Sequence, residues 1–346
     1  MYDLIVIGSG AVGLYLAKEF QEKGNSVLVL EKKKEPFLKL CSGLVSSRIF
    51  DFLSTDIGRS EDYNNFFEKK FLGARLWVEN SLFDFKGHAW LFSREEFNRF
   101  LFKKAKEEGA EIRLGEDVID IKEKNDFVEV ILKSGEIVQA KILAGCDGMS
   151  STVAKEVGFS NYRKPLLGVI THAKNQDKEI DLPELFFQKR FPGFFAWRIP
   201  RKNCVEWGLA LEPEKKPKEK LEEFLKKRMV DYGKFEAALI PVFPLKKTIS
   251  KRIFLCGDSA GHIKPMTGGG LIYGFVAARA AAGIIKPQAP NLDFYEKAWR
   301  KELMKEIRMG NFIRRCYSAP DFIKKAGLHY LKGRHGLHQD KPTSIF

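Results

Sequence analysis

Residues 2–13 read Tyr-Asp-Leu-Ile-Val-Ile-Gly-Ser-Gly-Ala-Val-Gly, and this stretch decides the fold. Its apolar residues 4–7 predict a buried strand, and Gly8, Gly10 and Gly13 follow directly. In this spacing the first glycine permits a tight turn, the second lets a pyrophosphate approach the main chain, and the third lets a helix pack closely on the strand. The helix that begins there offers N–H groups and the positive end of its dipole to phosphate.

A second strand and an acidic residue complete this pattern. Val27 to Leu30 predict that strand, and Glu31 ends it at the usual distance for a carboxylate that accepts hydrogen bonds from ribose hydroxyls. The glycines alone also occur in ordinary strand–helix turns, but strand, turn, helix, strand and acid in this order are much more specific. The sequence therefore predicts a dinucleotide-binding βαβ unit over residues 1–31.

Length and charge set limits on the rest of the chain. At 346 residues it exceeds one typical core, so two domains are expected. The net charge of +14 indicates either an acidic partner (anionic lipid, a phosphorylated substrate or nucleic acid) or a lysine-rich solvated surface. No uninterrupted apolar run approaches the ~20 residues that a membrane span needs, so any membrane contact is expected to be peripheral.

The five cysteines are scattered along the chain and form no CxxC pair. Neither a zinc ribbon nor a redox dithiol is indicated, and no metal site is expected. An odd number of cysteines without a signal peptide indicates a cytoplasmic protein.

Hydrophobic and capping patterns predict the remaining elements. Ser93 to Glu108 form an amphipathic helix, in which Ser93 is the N-cap, Glu96 completes a capping box and Gly109 ends the helix. Residues 252–256 predict a buried strand, and a small-residue helix follows a glycine triplet. Other strands are predicted at 71–92, 111–114, 118–124, 128–132, 137–140 and 141–145.

These segments predict an α/β fold whose nucleotide domain is discontinuous in sequence. The predicted division is residues 1–70, 93–160 and 246–285 for the nucleotide domain, 71–92 and 161–245 for an inserted antiparallel β-sheet domain that binds substrate, and 286–346 for C-terminal helices and a tail.

Four spaced motifs point to one class of protein. They are Gly8 to Gly13 with Glu31, Arg94-Glu-Glu-Phe-Asn-Arg-Phe-Leu101, Cys146-Asp-Gly-Met-Ser-Ser-Thr-Val-Ala154, and Leu255-Cys-Gly-Asp-Ser-Ala-Gly-His-Ile-Lys-Pro265 with Gly268-Gly-Gly270. The chain resembles flavoproteins of the glutathione-reductase superclass, in the branch with p-hydroxybenzoate hydroxylase-like folds. Asn98 replaces the usual Asp of the second motif, and Ala154 replaces the usual Arg of the third. The resemblance implies FAD as cofactor and a Rossmann-type (ββα three-layer) FAD-binding domain.

The fourth motif also has a physical basis. A strand ends at Gly257, and the Asp258 carboxylate is placed to accept hydrogen bonds from sugar-like hydroxyls. The triplet 268–270 admits a flat ring close to the main chain, and the N-terminus of the next helix stabilises negative charge on that ring. A glycine-rich turn before a packed helix is the alternative interpretation.

Two further segments resemble the geranylgeranyl reductase family. Cys41-Ser-Gly-Leu-Val-Ser46 is similar to its Cys-x-Gly-x-x-Ser loop beside the flavin. Phe195-Ala-Trp-Arg-Ile-Pro200 with Gly208-Leu-Ala210 is similar to its Tyr-x-Trp-x-Phe-Pro … Gly-x-Gly motif. Three positions of the latter differ, with Phe for Tyr, Ile for Phe and Ala for the last Gly.

The resemblance implies the residues that contact cofactor and substrate. Cys41 is the candidate catalytic residue, as a proton donor or a conformational gate, and a small loop residue is its alternative interpretation. Phe195, Trp197 and His262 are the candidate substrate contacts, with a sheet core and a loop hydrogen bond as the alternatives. The expected cofactor contacts are Gly8, Gly10, Val12, Gly13, Glu31, Lys32, Cys41, Ser42, Gly43, Leu44, Arg94, Val118, Asp147, Gly148, Asp258, Gly269, Gly270 and Leu271.

The implied activity is reduction of isolated carbon–carbon double bonds in isoprenoid (geranylgeranyl) chains of archaeal-type membrane lipid precursors. Such a bond is not polarised, so hydride transfer must be paired with protonation of the other carbon. A flavin-dependent monooxygenase of an apolar or aromatic substrate and a non-catalytic prenyl-binding escort protein are the alternatives.

The expected partners follow from the charge and from the number of nucleotide motifs. No second GxGxxG unit is present, so the electron donor is expected to bind transiently, as NAD(P)H, ferredoxin or another reduced carrier. The basic surface suits an acidic donor protein and lipid phosphates equally. No recognition motif accompanies the charge, so nucleic-acid binding is not expected.

Overall fold

The computed structural model describes residues 1–38, 40–57, 63–159, 164–174, 181–332 and 340–345. Residues 333–339 of the predicted C-terminal tail lie outside the described residues. The helices are α1 (Ala11–Gln21), α2 (Phe50–Ile57), α3 (Tyr63–Phe66), α4 (Arg94–Glu107), α5 (Thr152–Glu156), α6 (Pro217–Lys226), α7 (Leu271–Ile284), α8 (Leu292–Cys316) and α9 (Asp321–Lys332).

The strands divide between two sheets. They are β1 (Tyr2–Ile7), β2 (Val27–Glu31), β3 (Leu44–Val45), β4 (Phe67–Val78), β5 (Ser81–Phe92), β6 (Glu111–Leu114), β7 (Val118–Glu123), β8 (Val128–Leu132), β9 (Ile137–Gly145), β10 (Leu166–Ala173), β11 (Glu184–Phe187), β12 (Ala196–Pro200), β13 (Val205–Leu211), β14 (Glu236–Ile240) and β15 (Ile253–Leu255).

The first sheet is built around β1. This strand pairs in parallel with β2 and β9, and β2 pairs in parallel with β6. Leu4 and Val6 pack on the helical face of the sheet, whereas Ile5 and Ile7 pack on the opposite face with residues of β7 and β8. Because both faces are covered, the strand is an unbroken apolar run. Within the described residues the order is β6-β2-β1-β9-β8-β7, with β15 beside β9.

Strand β9 differs from the prediction of two successive strands. Residues 137–140 pair antiparallel with β8, and residues 140–145 pair in parallel with β1. Lys141, the polar residue at the predicted break, extends to Asp3, with 2.7 Å between Nζ and Oδ1. Because Asp3 at the start of β1 pairs with Lys141, β9 continues through this position as one strand. It pairs with β8 before Lys141 and with β1 after it.

The second sheet is mainly antiparallel. Among the described residues its order is β14-β10-β13-β12-β11-β4-β5-β3, with one parallel pair between β11 and β4. The boundary predicted at residue 71 falls inside β4, which begins at Phe67, and residues 44–45 add a short edge strand to β5. The predicted α/β architecture is confirmed: a parallel nucleotide-binding sheet, an inserted sheet and C-terminal helices.

Two close helix packings position the site. Helices α1 and α7 cross at Gly274, where a Cβ would lie 2.4 Å from Cγ2 of Val12. Helix α8 covers α7 with buried side chains that include Tyr295, Trp299 and Leu303. The glycine turn after β1 and the start of α7 are therefore held side by side. Within the described part of the chain, no helix is both long and apolar enough to cross a bilayer.

Candidate functional site

A cavity of about 750 Å³ lies between the glycine turn after β1 and the second sheet. This volume is within the roughly 300–1,000 Å³ typical of small-molecule sites. The cavity is lined by these predicted residues: Gly10, Val12, Cys41, Ser42, Leu44, Arg94, Gly148, Phe195, Trp197, Asp258, Gly269, Gly270 and Leu271. The remaining predicted residues lie outside its wall: Gly8, Gly13, Glu31, Lys32, Gly43, Val118, Asp147 and His262.

The three glycines of the first turn are needed for different steric reasons. Gly8 has φ +101°, and a Cβ there would lie 2.6 Å from the carbonyl oxygen of Cys146. At Gly13 a Cβ would lie 2.1 Å from the carbonyl oxygen of Gly8, so helix α1 packs on the strand only without a side chain. At Gly10 a Cβ would meet nothing within 4 Å. The space beside Gly10 is open to the cavity, as a bound pyrophosphate requires.

Glu31 is fixed by the turn that it faces. Its Oε2 accepts hydrogen bonds from the main-chain N and Oγ of Ser9, at 2.9 and 3.1 Å, and its Oε1 accepts from the main-chain N of Lys33 at 2.9 Å. A carboxylate has about four acceptor positions, so one remains for a ligand hydroxyl. Lys32 is exposed beside it.

The loop around Cys41 approaches the end of β5. Gly43 has φ +76°, and a Cβ there would lie 2.1 Å from the carbonyl oxygen of Phe92. The carbonyl oxygen of Gly43 accepts a hydrogen bond of 3.0 Å from the main-chain N of Phe92. Only glycine permits this contact, which places the exposed Cys41 and its neighbour Ser42 in the cavity wall.

Arg94 begins α4 next to the N-cap Ser93, whose Oγ accepts a hydrogen bond of 3.4 Å from the main-chain N of Glu96. The side chain is buried, and its Nη2 donates to Oδ1 of Asn98 at 3.3 Å. Asn98 therefore retains an acceptor oxygen where the motif usually has Asp. Within the described residues the Nε of Arg94 has no hydrogen-bond partner. A buried N–H group of this kind needs an acceptor, which a ligand in the cavity would supply.

Asp258 lies against the start of α7. A Cβ at Gly270 would lie 2.5 Å from Oδ1 of Asp258, so the glycine makes room for the carboxylate. Gly270 is also the N-cap residue of α7, and a glycine has no side chain with which to cap that terminus. Leu271 at the first turn lines the cavity. The start of the helix, with its first N–H groups and the positive end of its dipole, therefore lies on the cavity side, where it stabilises negative charge.

Three predicted contacts have structural roles of their own. His262 is fully buried, its Nδ1 accepts a hydrogen bond of 3.2 Å from the main-chain N of Gly257, and its ring packs on Trp299 with 4.4 Å between centroids. The structure thus places His262 behind the cavity wall, because the loop turns its ring toward α8, and the loop hydrogen bond is the interpretation that fits. Val118, the first residue of β7, is buried in a hydrophobic cluster with residues of β8 and β9. Asp147 accepts a hydrogen bond of 3.1 Å from the main-chain N of Val153 at the start of α5, and burial raises the pKa of its carboxyl group.

One wall of the cavity is aromatic. Phe195 stacks on Phe194 with 4.4 Å between ring centroids. The indole of Trp197 lies over Gly208, where a Cβ would be 2.2 Å from the ring. This contact gives a physical reason for the glycine that follows the tryptophan motif. The same wall also contains Phe187.

Residues 1–279 match the FAD binding domain family. The chain belongs to this family. An uncharacterized protein of Methanocaldococcus jannaschii is 26% identical over 340 residues, which cover 91% of this chain and 84% of that protein. A digeranylgeranylglycerophospholipid reductase of Methanothrix thermoacetophila is 27% identical over 340 residues, which cover 88% of this chain and 84% of the reductase.

The solved structure of a geranylgeranyl bacteriochlorophyll reductase-like protein of Thermoplasma acidophilum has the same fold. It superposes with a TM-score of 0.86 at 19% identity, over 99% of this chain and 94% of that one. The reductase relative confirms the resemblance to the geranylgeranyl reductase family, and the family match over residues 1–279 confirms FAD as the cofactor.

The described residues fit FAD. The open main chain at Gly10 and the start of α1 would hold the pyrophosphate, and the remaining acceptor of Glu31 would hold a ribose hydroxyl. The unpartnered Nε of Arg94 would donate to an acceptor of the flavin. The start of α7 beside Gly269 would face the ring, where the N-terminus of the helix would stabilise the negative charge of a reduced flavin.

Two groups of site residues were missed by sequence reasoning. The first is Tyr317 at the C-terminal end of α8, which lines the cavity, packs on Phe187 with 4.8 Å between centroids and donates from its hydroxyl to the carbonyl oxygen of Met266 at 3.0 Å. The second is a buried pair: Nζ of Lys264 lies 2.7 Å from Oδ1 of Asp340. Ser46 also donates to Asp340. Contacts so distant in sequence leave no local pattern.

Arg201, whose side chain is 12% exposed, connects the Cys41 loop with the aromatic wall of the cavity. Nη1 of Arg201 donates to the carbonyl oxygen of Ser42 at 2.8 Å and to Oε2 of Glu206 at 3.0 Å, and Nη2 donates to Oε1 of Glu68 at 2.6 Å. Oε1 of Glu206 accepts from Nε1 of Trp197 at 2.9 Å. Arg201 follows Pro200 of the tryptophan motif directly, and Glu206 comes shortly before Gly208. Charged residues on both sides of a buried motif were the sequence signal that could have predicted this network.

Proposed function

We propose that this protein is an FAD-dependent reductase that saturates carbon–carbon double bonds of geranylgeranyl chains in archaeal-type membrane lipid precursors. The observation that supports this proposal is the continuous cavity, which runs from the glycines of the FAD site to an aromatic wall. A long apolar chain needs such a wall, and a double bond in that chain must reach the flavin ring.

The chemistry requires a hydride and a proton at neighbouring carbons. When bound and reduced, FAD supplies the hydride. The apolar side chains of Phe187, Phe195 and Tyr317 exclude water and hold the chain by burial. The start of α7 stabilises the negative charge on the flavin side.

Cys41 is the residue to which we assign the proton for the second carbon. Its thiol belongs to a loop that Gly43 fixes against β5, and the residue lines the cavity. A proton held at Sγ there is close to both the cofactor site and the chain. Ser42 follows Cys41 in this loop, and the carbonyl oxygen of Ser42 accepts a hydrogen bond from Arg201.

The electron donor of the proposed reaction binds transiently. Residues 1–279 supply one FAD-binding unit, and the chain has no second GxGxxG segment for a nicotinamide cofactor. NAD(P)H, ferredoxin and other reduced carriers are compatible with that arrangement.

The product of the reaction tests the proposal. FAD-loaded protein is reduced chemically without oxygen and incubated with a digeranylgeranyl glycerophospholipid, and the lipid is analysed by mass spectrometry. We expect each reduced double bond to add two hydrogen atoms, while the same lipid with saturated chains stays unchanged. An unchanged unsaturated lipid contradicts the proposal, and a product that has gained oxygen in air supports the monooxygenase instead.

A further inference from the structure

Helix α9 shows its apolar side to solvent. Phe322 is 72% exposed, Ile323 47% and Tyr330 48%, and Ala326 and Gly327 between them are exposed as well. These five residues have the spacing i, i+1, i+4, i+5 and i+8, which is one side of a helix. We call them the α9 outer face.

The opposite side of α9 has the charged residues and faces the protein. Asp321 pairs there with Lys324 at 3.0 Å and with Lys189 at 3.1 Å. Leu328, on the same side, lines the cavity. An ordinary surface helix has the reverse arrangement, with its apolar residues toward the core. The apolar outer face is therefore not explained by the packing of α9 on the protein.

The segment from the second half of α8 through α9 is basic, although Lys324 pairs with Asp321 on the inner side of α9. Residues 308–332 contain six Lys or Arg and one Asp. On α8 the exposed residues Arg308, Phe312 and Arg315 have the spacing i, i+4 and i+7, and Phe312 is 59% exposed. Protruding aromatic residues within a basic surround are typical of helices that lie in the interface of an anionic membrane.

We propose that the α9 outer face docks on the surface of a bilayer that contains anionic phospholipids. Phe322 and Ile323 enter the interface, and the basic residues contact lipid phosphates. The argument for docking depends only on the exposure and the charge of this region. One consequence rests on the proposed function: because α8 and α9 also line the cavity through Tyr317 and Leu328, docking brings the cavity next to the lipid.

Vesicle binding tests this proposal without any turnover. The FAD-loaded full chain is sedimented with vesicles of phosphatidylcholine alone or of phosphatidylcholine with phosphatidylglycerol. We expect binding to the anionic vesicles that is at least tenfold tighter than to the neutral ones and that weakens with salt. The double variant Phe322→Ser/Ile323→Ser should bind the anionic vesicles at least tenfold more weakly.

The matched control is Phe294→Ser. Phe294 is 57% exposed on the first turn of α8, about 27 Å along the helix from Phe312 at 1.5 Å per residue. The Phe294→Ser variant should bind the anionic vesicles as tightly as the wild type does. The proposal is overturned if the wild type ignores anionic vesicles, binds both kinds equally, or binds as the double variant does. It is also overturned if the wild type is a dimer that the double variant dissociates, because the face then belongs to a second copy of this chain. If the wild type binds anionic vesicles but does not reduce the lipid, the result contradicts the proposed function and leaves the docking proposal standing.

Discussion

Replacing Arg201 by Met should destabilise the protein, because the buried carboxylate of Glu206 then loses the cation that pairs with it. Glu206 is 1% exposed, and the guanidinium of Arg201 lies 3.0 Å from its Oε2. Breaking a buried ion pair by removing one partner costs about 3–5 kcal/mol, because the other charge stays buried. Trp197 continues to donate to Oε1, but one neutral hydrogen bond does not replace a cation.

The cost should depend on pH, with a sign set by Glu206. Burial raises the pKa of this carboxyl group, and Arg201 lowers it. Without Arg201 the pKa in the folded state rises further above the unfolded value of about 4.3. The folded state then binds more protons than the unfolded state, so stability falls as pH rises between the two pKa values. The penalty should be small below the unfolded pKa and reach its full size above the folded one.

Urea unfolding of the FAD-loaded protein at a series of pH values measures this penalty. The double variant Arg201→Met/Glu206→Gln should recover most of the loss, since neutral Gln accepts from Trp197 without a charge. The control is Arg99→Met on the exposed face of α4, where solvent screens the Arg99–Glu95 pair and its loss should change stability little. A penalty that does not change with pH, or a double variant as unstable as the single one, would refute this account of the network.

Four further changes separate folding, FAD binding and catalysis. Gly10→Ala should fold normally and bind FAD at least tenfold more weakly, because its Cβ meets only the open space for the pyrophosphate; Gly13→Ala should lower the urea midpoint itself, since its Cβ would lie 2.1 Å from a carbonyl oxygen. Asp258→Ala should purify with little flavin by visible absorbance, and full occupancy would contradict its role. Cys41→Ala should keep its flavin and slow lipid reduction at least tenfold, or about 1.4 kcal/mol of barrier, in a reductant-driven assay. Unchanged turnover would remove Cys41 from the mechanism.

Local patterns predicted the parts of this protein that depend on neighbouring residues. The βαβ unit of residues 1–31 and the helix capped by Ser93 follow from periodicity and capping, which act within a few residues. The cavity wall depends on long-range packing. Tyr317 reaches it from the end of α8, and Asp340 reaches Lys264 from the last described segment. No spacing rule connects such residues.

The error at residues 137–145 has the same physical origin. Lys141 marked a break because it is polar, and the structure pairs it with Asp3, more than a hundred residues away in sequence. His262 shows the converse case. Its motif indicates a place near the ligand, but the tight turn at Gly257 directs the ring toward Trp299.

The flavin spectrum of one sample tests the central claim most directly. The protein is loaded with FAD, reduced chemically without oxygen until the visible bands bleach, and mixed with a digeranylgeranyl glycerophospholipid. A reductase of isoprenoid double bonds must transfer its electrons to the lipid, so we predict that the oxidised bands return before any air enters. Bands that return only on admission of oxygen would contradict the proposed activity.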